Sequence, residues 1–222
     1  MTPAGRTAGE GPLDPEDFLA ALEDLLSDIP EGGRRLVAIA GAPASGKTTL
    51  AAEAERRLNA AMPGSAAVLP MDGFHYDDQV LVPRGWRARK GAPHTFDVGG
   101  LAAMLARLKR NDEAAVAVPR FDRTLEIARA GAALIDRTVR LVLVEGNYLL
   151  LDEAPWDALA PVFDLTVMIR AEEAVLAERL RRRWVDHGLD AAGIAAKLDD
   201  NDLPNARLVY ESSRSADLQV AT

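Results

Sequence analysis

The stretch Gly41-Ala42-Pro43-Ala44-Ser45-Gly46-Lys47-Thr48 narrows the possible folds of this chain more than any other. It has the form G-x-x-x-x-G-K-[ST]. The apolar run RRLVAIA (34–40) leads into it, and a helical pattern over 46–61 leads out. Glycines at both ends let the backbone of Gly41, Ala42, Ala44, Ser45 and Gly46 turn its amides inward on phosphate oxygens. The helix that follows adds the positive end of its dipole at Lys47, Thr48 and Thr49. Lys47 is placed to bridge the β- and γ-phosphates, and the Thr48 hydroxyl to ligate Mg2+. The alternative is a chance glycine-rich turn. A strand before and a helix after are the context the motif needs, and both are present. A bound nucleoside triphosphate is therefore expected.

The rest of the chain alternates strands and helices. DPEDFLAALEDLLSDI opens a helix, with Asp14 as N-cap, Pro15 in the first helical position, and Phe18, Leu22, Leu25, Leu26 and Ile29 on one face. AAVLPMD (66–72) reads as a second strand that ends in an acid. Residues 73–96 read as a long irregular loop rich in Gly, Pro, Arg and aromatics, and such loops commonly carry function. A helix at 97–110, a strand AAVAVP and an excursion over 120–137 follow. RLVLVEGNYLLL (140–151) and FDLTVMIR (163–170) are the next strands. Helices are expected at 172–186 and 190–201, a last helix from LPNARLVYESSR, and a closing strand at ADLQV. The pattern predicts an α/β fold with a mainly parallel sheet, which takes ligands at the carboxyl ends of its strands.

Composition removes several classes of function. With 222 residues there is room for one sizeable domain, read as 13–222 behind a polar tail at 1–12. The net charge of −8 disfavours nucleic acid and anionic membrane as partners, so any anion site must come from local cations. The absence of cysteine excludes disulfides and thiol catalysis. No run of about eighteen apolar residues is present, and no signal-peptide core stands at the N-terminus. A cytoplasmic protein acting on a small molecule, as monomer or homodimer, is the expectation.

Two acids stand at strand ends: Asp72 in LPMDGFHY and Glu145 in LVLVEGNY. Phosphoryl transfer to a hydroxyl needs metal ligation and a base, and two acids at neighbouring strand tips can divide those tasks. The plainer readings are a turn aspartate before Gly73 and a solubilising charge after an apolar run. In RAEEAVLAERLRRRW, Leu176, Leu180 and Trp184 make the buried stripe. Arg179 and Arg183 lie one turn apart beside it, able to face one anion together. The plainer reading is a solvated basic face. The helix fits a lid over about 171–190.

In this order, GAPASGKTT, MDGFHY, RKGAPHTFD, PRFD, VLVEGNYLL and ERLRRR resemble the P-loop kinases of the uridine kinase, phosphoribulokinase and bacterial pantothenate kinase group. The likeness runs from about 34 to 220. It is strongest to the nucleoside and sugar kinases that include one named a fructose transport system kinase. The resemblance implies a three-layer α/β/α fold with a five-stranded core and a helical lid. It implies ATP and Mg2+, with Asp72 as general base, Glu145 with Thr48 on magnesium, and Arg179 and Arg183 clasping phosphates. Phe121 and Asp122 stand where uridine kinases carry a Tyr-Asp pair near the acceptor. One departure bears on substrate. Uridine kinases read ribose hydroxyls with an aspartate two residues before the proline of this segment; here the proline is Pro93 and the position is Gly91. KGAPHTFD is nearer the KG-x-P-x-x-Y-D of pantothenate kinases.

Of the remaining polar residues, His75 and Arg123 are the better candidates for the acceptor site, ahead of His94, Arg84, Arg89 and Lys90. Trp86 reads as a loop anchor, and Asn147 and Tyr148 as pocket floor or turn. The expected activity is transfer of the γ-phosphate of ATP to a hydroxyl of a small metabolite, a sugar first, then a nucleoside or a pantothenate-like alcohol. A nucleotide-dependent switch and a plain hydrolase are the rivals; the guanine-reading N-K-x-D of many switches is absent.

Overall fold

The computed structural model describes residues 11–222, so most of the expected tail at 1–12 lies outside the described residues. The chain begins with helix α1 (Pro15–Ser27), capped by Asp14, whose carboxylate accepts from the Asp17 amide at 2.9 Å. Then come β1 (Arg35–Gly41), α2 (Lys47–Ala61), β2 (Ala66–Pro70), α3 (Asp78–Leu81), α4 (Val98–Arg110), β3 (Ala115–Asp122), β4 (Ile127–Asp136) and β5 (Leu141–Gly146). The last part holds β6 (Leu165–Arg170), α5 (Glu173–Asp186), α6 (Ala191–Lys197), α7 (Leu203–Ser212) and β7 (Leu218–Ala221).

Five strands form one parallel sheet in the order β2-β5-β1-β6-β7. Successive side chains on a strand point to opposite faces. Leu36, Ala38 and Ala40 of β1, with Val142 and Val144 of β5, therefore pack on α4 through Leu101, Leu105 and Leu108 and on α7 through Val209. Val37 and Ile39, with Leu141 and Leu143, face the other way, onto Phe18 and Leu22 of α1 and Leu50, Ala54 and Leu58 of α2. The result is the expected three-layer α/β/α arrangement. Strands covered on both faces must be apolar at every position, which is why they read as unbroken runs. Truncating a fully buried member such as Phe18 to Ala costs about 3–5 kcal/mol.

Several elements differ from expectation. AAVAVP is not a core strand. It lies in β3, which pairs antiparallel with β4 in a separate two-stranded ribbon, and the expected excursion at 120–137 is largely the returning strand. The cause is visible in β3: Val116 and Val118 are buried while Ala117 between them is exposed, so it has one covered face. The fifth core strand is the closing β7. Strand β2 stops at Pro70, which has no N–H for the ladder, so Asp72 sits on the 3-10 turn Met71–Phe74 just beyond. Residues 73–96 are not irregular throughout; α3 and the turns Arg87–Arg89 and Pro93–Thr95 break the segment into short helical steps. The helices expected at 190–201 and from 203 join into one run through a π turn at Leu198–Asp202. Among the described residues no helix is long and apolar enough to cross a membrane.

Candidate active site

The register of the sheet brings the two acids together. Pro70 of β2 pairs with Glu145 of β5, and Glu145 pairs with Ile39 of β1, two residues before the phosphate loop. Asp72, Glu145 and Lys47 therefore come from three adjacent strand ends and line one cleft of about 780 Å³.

The loop itself is tightly constrained. A Cβ on Gly41 would lie 2.6 Å from Ser45 Oγ and 3.0 Å from the Ile169 carbonyl, closer than real contacts allow. Ala44 adopts a positive φ of 62°, a strained conformation for a residue with a Cβ. No side chain caps the N-terminus of α2, so its first amides are left for a ligand. Lys47 Nζ donates to the Ala42 carbonyl at 3.5 Å. Burial lowers the Lys47 pKa, while Glu145 and Asp72 pull it back up. Glu145 is 5% exposed. Burial raises its pKa, opposed by Lys47 and reinforced by Asp72.

Thr48 Oγ1 donates to Glu145 Oε2 at 3.2 Å. A hydroxyl and one buried carboxylate, with room left for phosphate oxygens and water, fit the donor set of Mg2+. Among the described residues no three His, Cys, Asp or Glu side chains converge as a self-sufficient metal cage.

The ribbon β3–β4 supplies another wall of the cleft. Arg120 Nη2 donates to the Val68 carbonyl at 2.9 Å, which fastens the ribbon to edge strand β2. At Gly73 the two backbones meet so closely that a Cβ would stand 2.7 Å from the Pro119 carbonyl. This docking places Phe121 and Arg123 beside Asp72. Arg123 Nη2 donates to Asp72 Oδ2 at 2.8 Å. The His75 ring lies 4.0 Å from Phe96 and 4.8 Å from Phe121, centroid to centroid, with Nδ1 2.9 Å from the Asp72 carbonyl. Burial lowers the His75 pKa, against a smaller upward pull from Asp72.

Asp122 departs from expectation. Strand alternation turns it away from Phe121's side, and its Oδ1 accepts from the Thr124 and Leu125 amides at 3.0 and 3.1 Å. It caps the hairpin turn and does not line the cleft.

Over the cleft lies α5. Arg179 Nη1 donates to the Ala44 carbonyl at 3.3 Å, and Arg183 stacks on Trp184 at 5.3 Å. Leu176 and Leu180 are buried as expected, but Trp184 is not in that core. It stands in the cleft wall on the last turn of α5, where its Nε1 donates to Asp202 Oδ2 at 2.6 Å. Burial raises the Asp202 pKa, while Trp184, Arg183 and Lys197 act against it.

Of the other loop candidates, Lys90 lines the cleft, as does Arg87, which the sequence did not single out; both pair with Asp78, at 3.0 and 2.7 Å. Arg84, Trp86 and His94 line a second groove behind it, with the Trp86 and His94 rings 5.2 Å apart. Arg89 Nη1 donates to the Asp200 carbonyl at 2.7 Å, and Tyr148 Oη to the Gly91 carbonyl at 2.7 Å, so both tie the loop down. Asn147 lines the cleft. The sequence reading missed Asn201, Asp202 and Asn205, which also line it. Their only linear trace is a polar run, DDND, just before Pro204.

No family model matches the chain. It is 42% identical to a crystal structure described provisionally as a fructose transport system kinase from Silicibacter sp. TM1040, at a TM-score of 0.83, covering 90% of this chain and 98% of that one. It is 31% identical over 193 residues to a Schizosaccharomyces pombe protein provisionally named a uridine kinase, covering 83% of this chain and 82% of the relative. It is 34% identical over 171 residues to the pantothenate kinase of Sorangium cellulosum, spanning 75% of this chain and 53% of that protein.

Proposed function

This chain belongs to the P-loop kinases of the uridine kinase and pantothenate kinase group, which act on small molecules, and from that premise we propose that it moves the γ-phosphate of ATP to a hydroxyl of a sugar. The observation that carries the reading is the convergence of Asp72, Glu145 and Lys47 on one cleft beside the phosphate loop. The sugar preference draws on the fructose transport system kinase it resembles and on Gly91 standing where a ribose-reading aspartate would be.

Each residue has a task in this reading. The amides from Gly41 to Thr49 and the Lys47 ammonium hold the phosphates in line with the acceptor. Thr48 and Glu145 would hold Mg2+, which when bound would neutralise phosphate charge. Asp72 accepts the proton of the acceptor hydroxyl as its oxygen bonds to the γ-phosphorus and the bond to the β-phosphate oxygen breaks. Arg123 holds Asp72 by Oδ2, which leaves Oδ1 to take the proton. His75, Phe121 and Arg123 border the acceptor. Arg179 and Arg183, on a lid over about 171–190 of a single domain at 13–222, stabilise the charge of the transferring phosphoryl group and exclude water.

The test is magnesium-dependent ATP turnover by wild type and Asp72→Asn against sugars, nucleosides and pantothenate. One acceptor should raise wild-type turnover well above the rate without acceptor, and Asp72→Asn should abolish the rise. Turnover that is flat across the panel and equal in the two proteins sinks the reading in favour of a hydrolase or switch.

A further inference from the structure

The helical run from Ala191 to Ser212 changes pitch once. At Leu198–Asp202 it widens into a π turn, and the Leu203 amide donates to the Leu198 carbonyl five residues back. Pro204 follows directly and has no N–H to donate to the residue four back, so the regular ladder is already interrupted there. A π turn inside a helix is frequently found at a functional site.

This one aims three polar side chains into the cleft. Asn201, Asp202 and Asn205 are 8%, 7% and 3% exposed, and all three line the same space as Asp72 and Lys47. Arg89 on the Asp200 carbonyl fastens the π turn to the loop at 86–96, so the three residues stand on the acceptor side. Their polar atoms are only partly paired with one another and with the protein. Asn205 Nδ2 donates to Asn201 Oδ1 at 3.3 Å, and Trp184 Nε1 donates to Asp202 Oδ2. Among the described residues, Asn201 Nδ2, Asn205 Oδ1 and Asp202 Oδ1 have no protein partner.

The charges nearby narrow what those atoms can take. Arg87 and Lys90 are held by Asp78, and Arg123 by Asp72. Arg183 and Lys197 flank the Trp184 ring at 5.3 and 5.5 Å. The charge of Arg183 acts on Lys47, at the phosphate end, and with Lys197 it also acts on Asp202. The free atoms of the wall are one amide nitrogen with its two N–H groups, one amide oxygen and one carboxylate oxygen. A hydroxyl both donates and accepts, so adjacent hydroxyls complement that set. A carboxylate or phosphate would meet Asp202 as a like charge.

We propose that Asn201, Asp202 and Asn205 are the wall that reads the acceptor, and that they select an uncharged, polyhydroxylated molecule over one bearing a carboxylate or phosphate. The proposal rests on the phosphotransfer reading above and adds to it the residues that choose the substrate.

The test uses the full chain with ATP and magnesium. The neutral probes are fructose, ribose and glucitol; the acidic probes are gluconate and glycerate. Wild type should phosphorylate a neutral probe with kcat/KM at least about tenfold above the acids. Asn201→Ala and Asn205→Ala should raise the acceptor KM by about tenfold, the effect of one lost hydrogen bond in a buried site, and by more than any change in ATP KM. Asp202→Asn keeps the shape and an oxygen for Trp184, so it should fold. It should narrow the ratio between neutral and acidic probes. If wild type phosphorylates a neutral probe but no variant moves the acceptor KM or the ratio, the wall is wrong and the kinase reading stands. If only the acids are phosphorylated, the proposal is overturned. If no probe accepts phosphate, the sugar reading and the proposal fall together.

Discussion

At the scale of single residues, Asp72 and His75 carry separate consequences. A positioned general base contributes about 10²–10⁴ in rate. Asp72→Asn should therefore lower acceptor-dependent kcat by at least about a hundredfold while ATP KM changes little; steady-state kinetics check this. His75 bears on stability. Burial depresses its pKa, so the folded chain binds fewer protons than the unfolded chain just below the ordinary histidine value of about 6.5. The stability it contributes is present above that pH and is lost as pH falls through it, by at most about 1.4 kcal/mol per pH unit. Chemical denaturation between pH 7 and 5.5 should show the loss in wild type and a shallower slope in His75→Gln. Equal slopes would mean that His75 is not held neutral. Both residues were legible in the motif MDGFHY, although the burial of His75 comes from Phe96 and Phe121. Asp122, adjacent to Phe121, was not, because which side of a strand end faces the cleft depends on where the hairpin turns.

At the scale of elements, the ribbon β3–β4 matters by where it docks. It delivers Phe121 and Arg123 to Asp72 because Gly73 lets the Pro119 backbone come close. Gly73→Ala should force the two apart. A loss of about 1–3 kcal/mol in denaturant stability should come with a fall in acceptor-dependent turnover larger than any change in ATP KM. Helix α5, proposed as a lid, gives a different signature. Arg179→Ala and Arg183→Ala should lower kcat, and should raise the share of ATP lost to water wherever exclusion of solvent fails. That share is measured as inorganic phosphate released per ADP formed. The strands covered on both faces, β1, β5 and β6, were legible as apolar runs. AAVAVP reads as a strand of the same kind because alternating Ala and Val look continuous on a hydrophobicity pattern, although only the valines are covered. The π turn left no periodic signal, since it arises where Pro204 interrupts a helix that tertiary contacts hold together.

For the whole molecule, one sheet edge gathers parts from distant sequence. The phosphate loop near residue 46, Asp72, the ribbon at 121–123, the carboxylate at 145 and the π turn near 202 meet only when the parallel sheet has formed. The first four are legible as motifs with fixed local chemistry. The π turn is not, because its place over the loop at 86–96 is a long-range contact. A site assembled this way should couple ligand to global stability. Saturation with ATP and magnesium at about a hundred times Kd adds about 2.7 kcal/mol, or roughly 5–10 °C in Tm for a chain of this size. Differential scanning fluorimetry reads the shift, and Gly41→Ala, whose Cβ would crowd Ser45 and Ile169, should remove most of it. On the proposed reading, phosphate goes to a hydroxyl and not to water. The most direct measurement is phosphorus NMR of the chain with ATP, magnesium and a sugar acceptor. A phosphomonoester resonance that grows in step with ADP is the predicted result. ADP accompanied by inorganic phosphate alone, with every sugar tried, would contradict it.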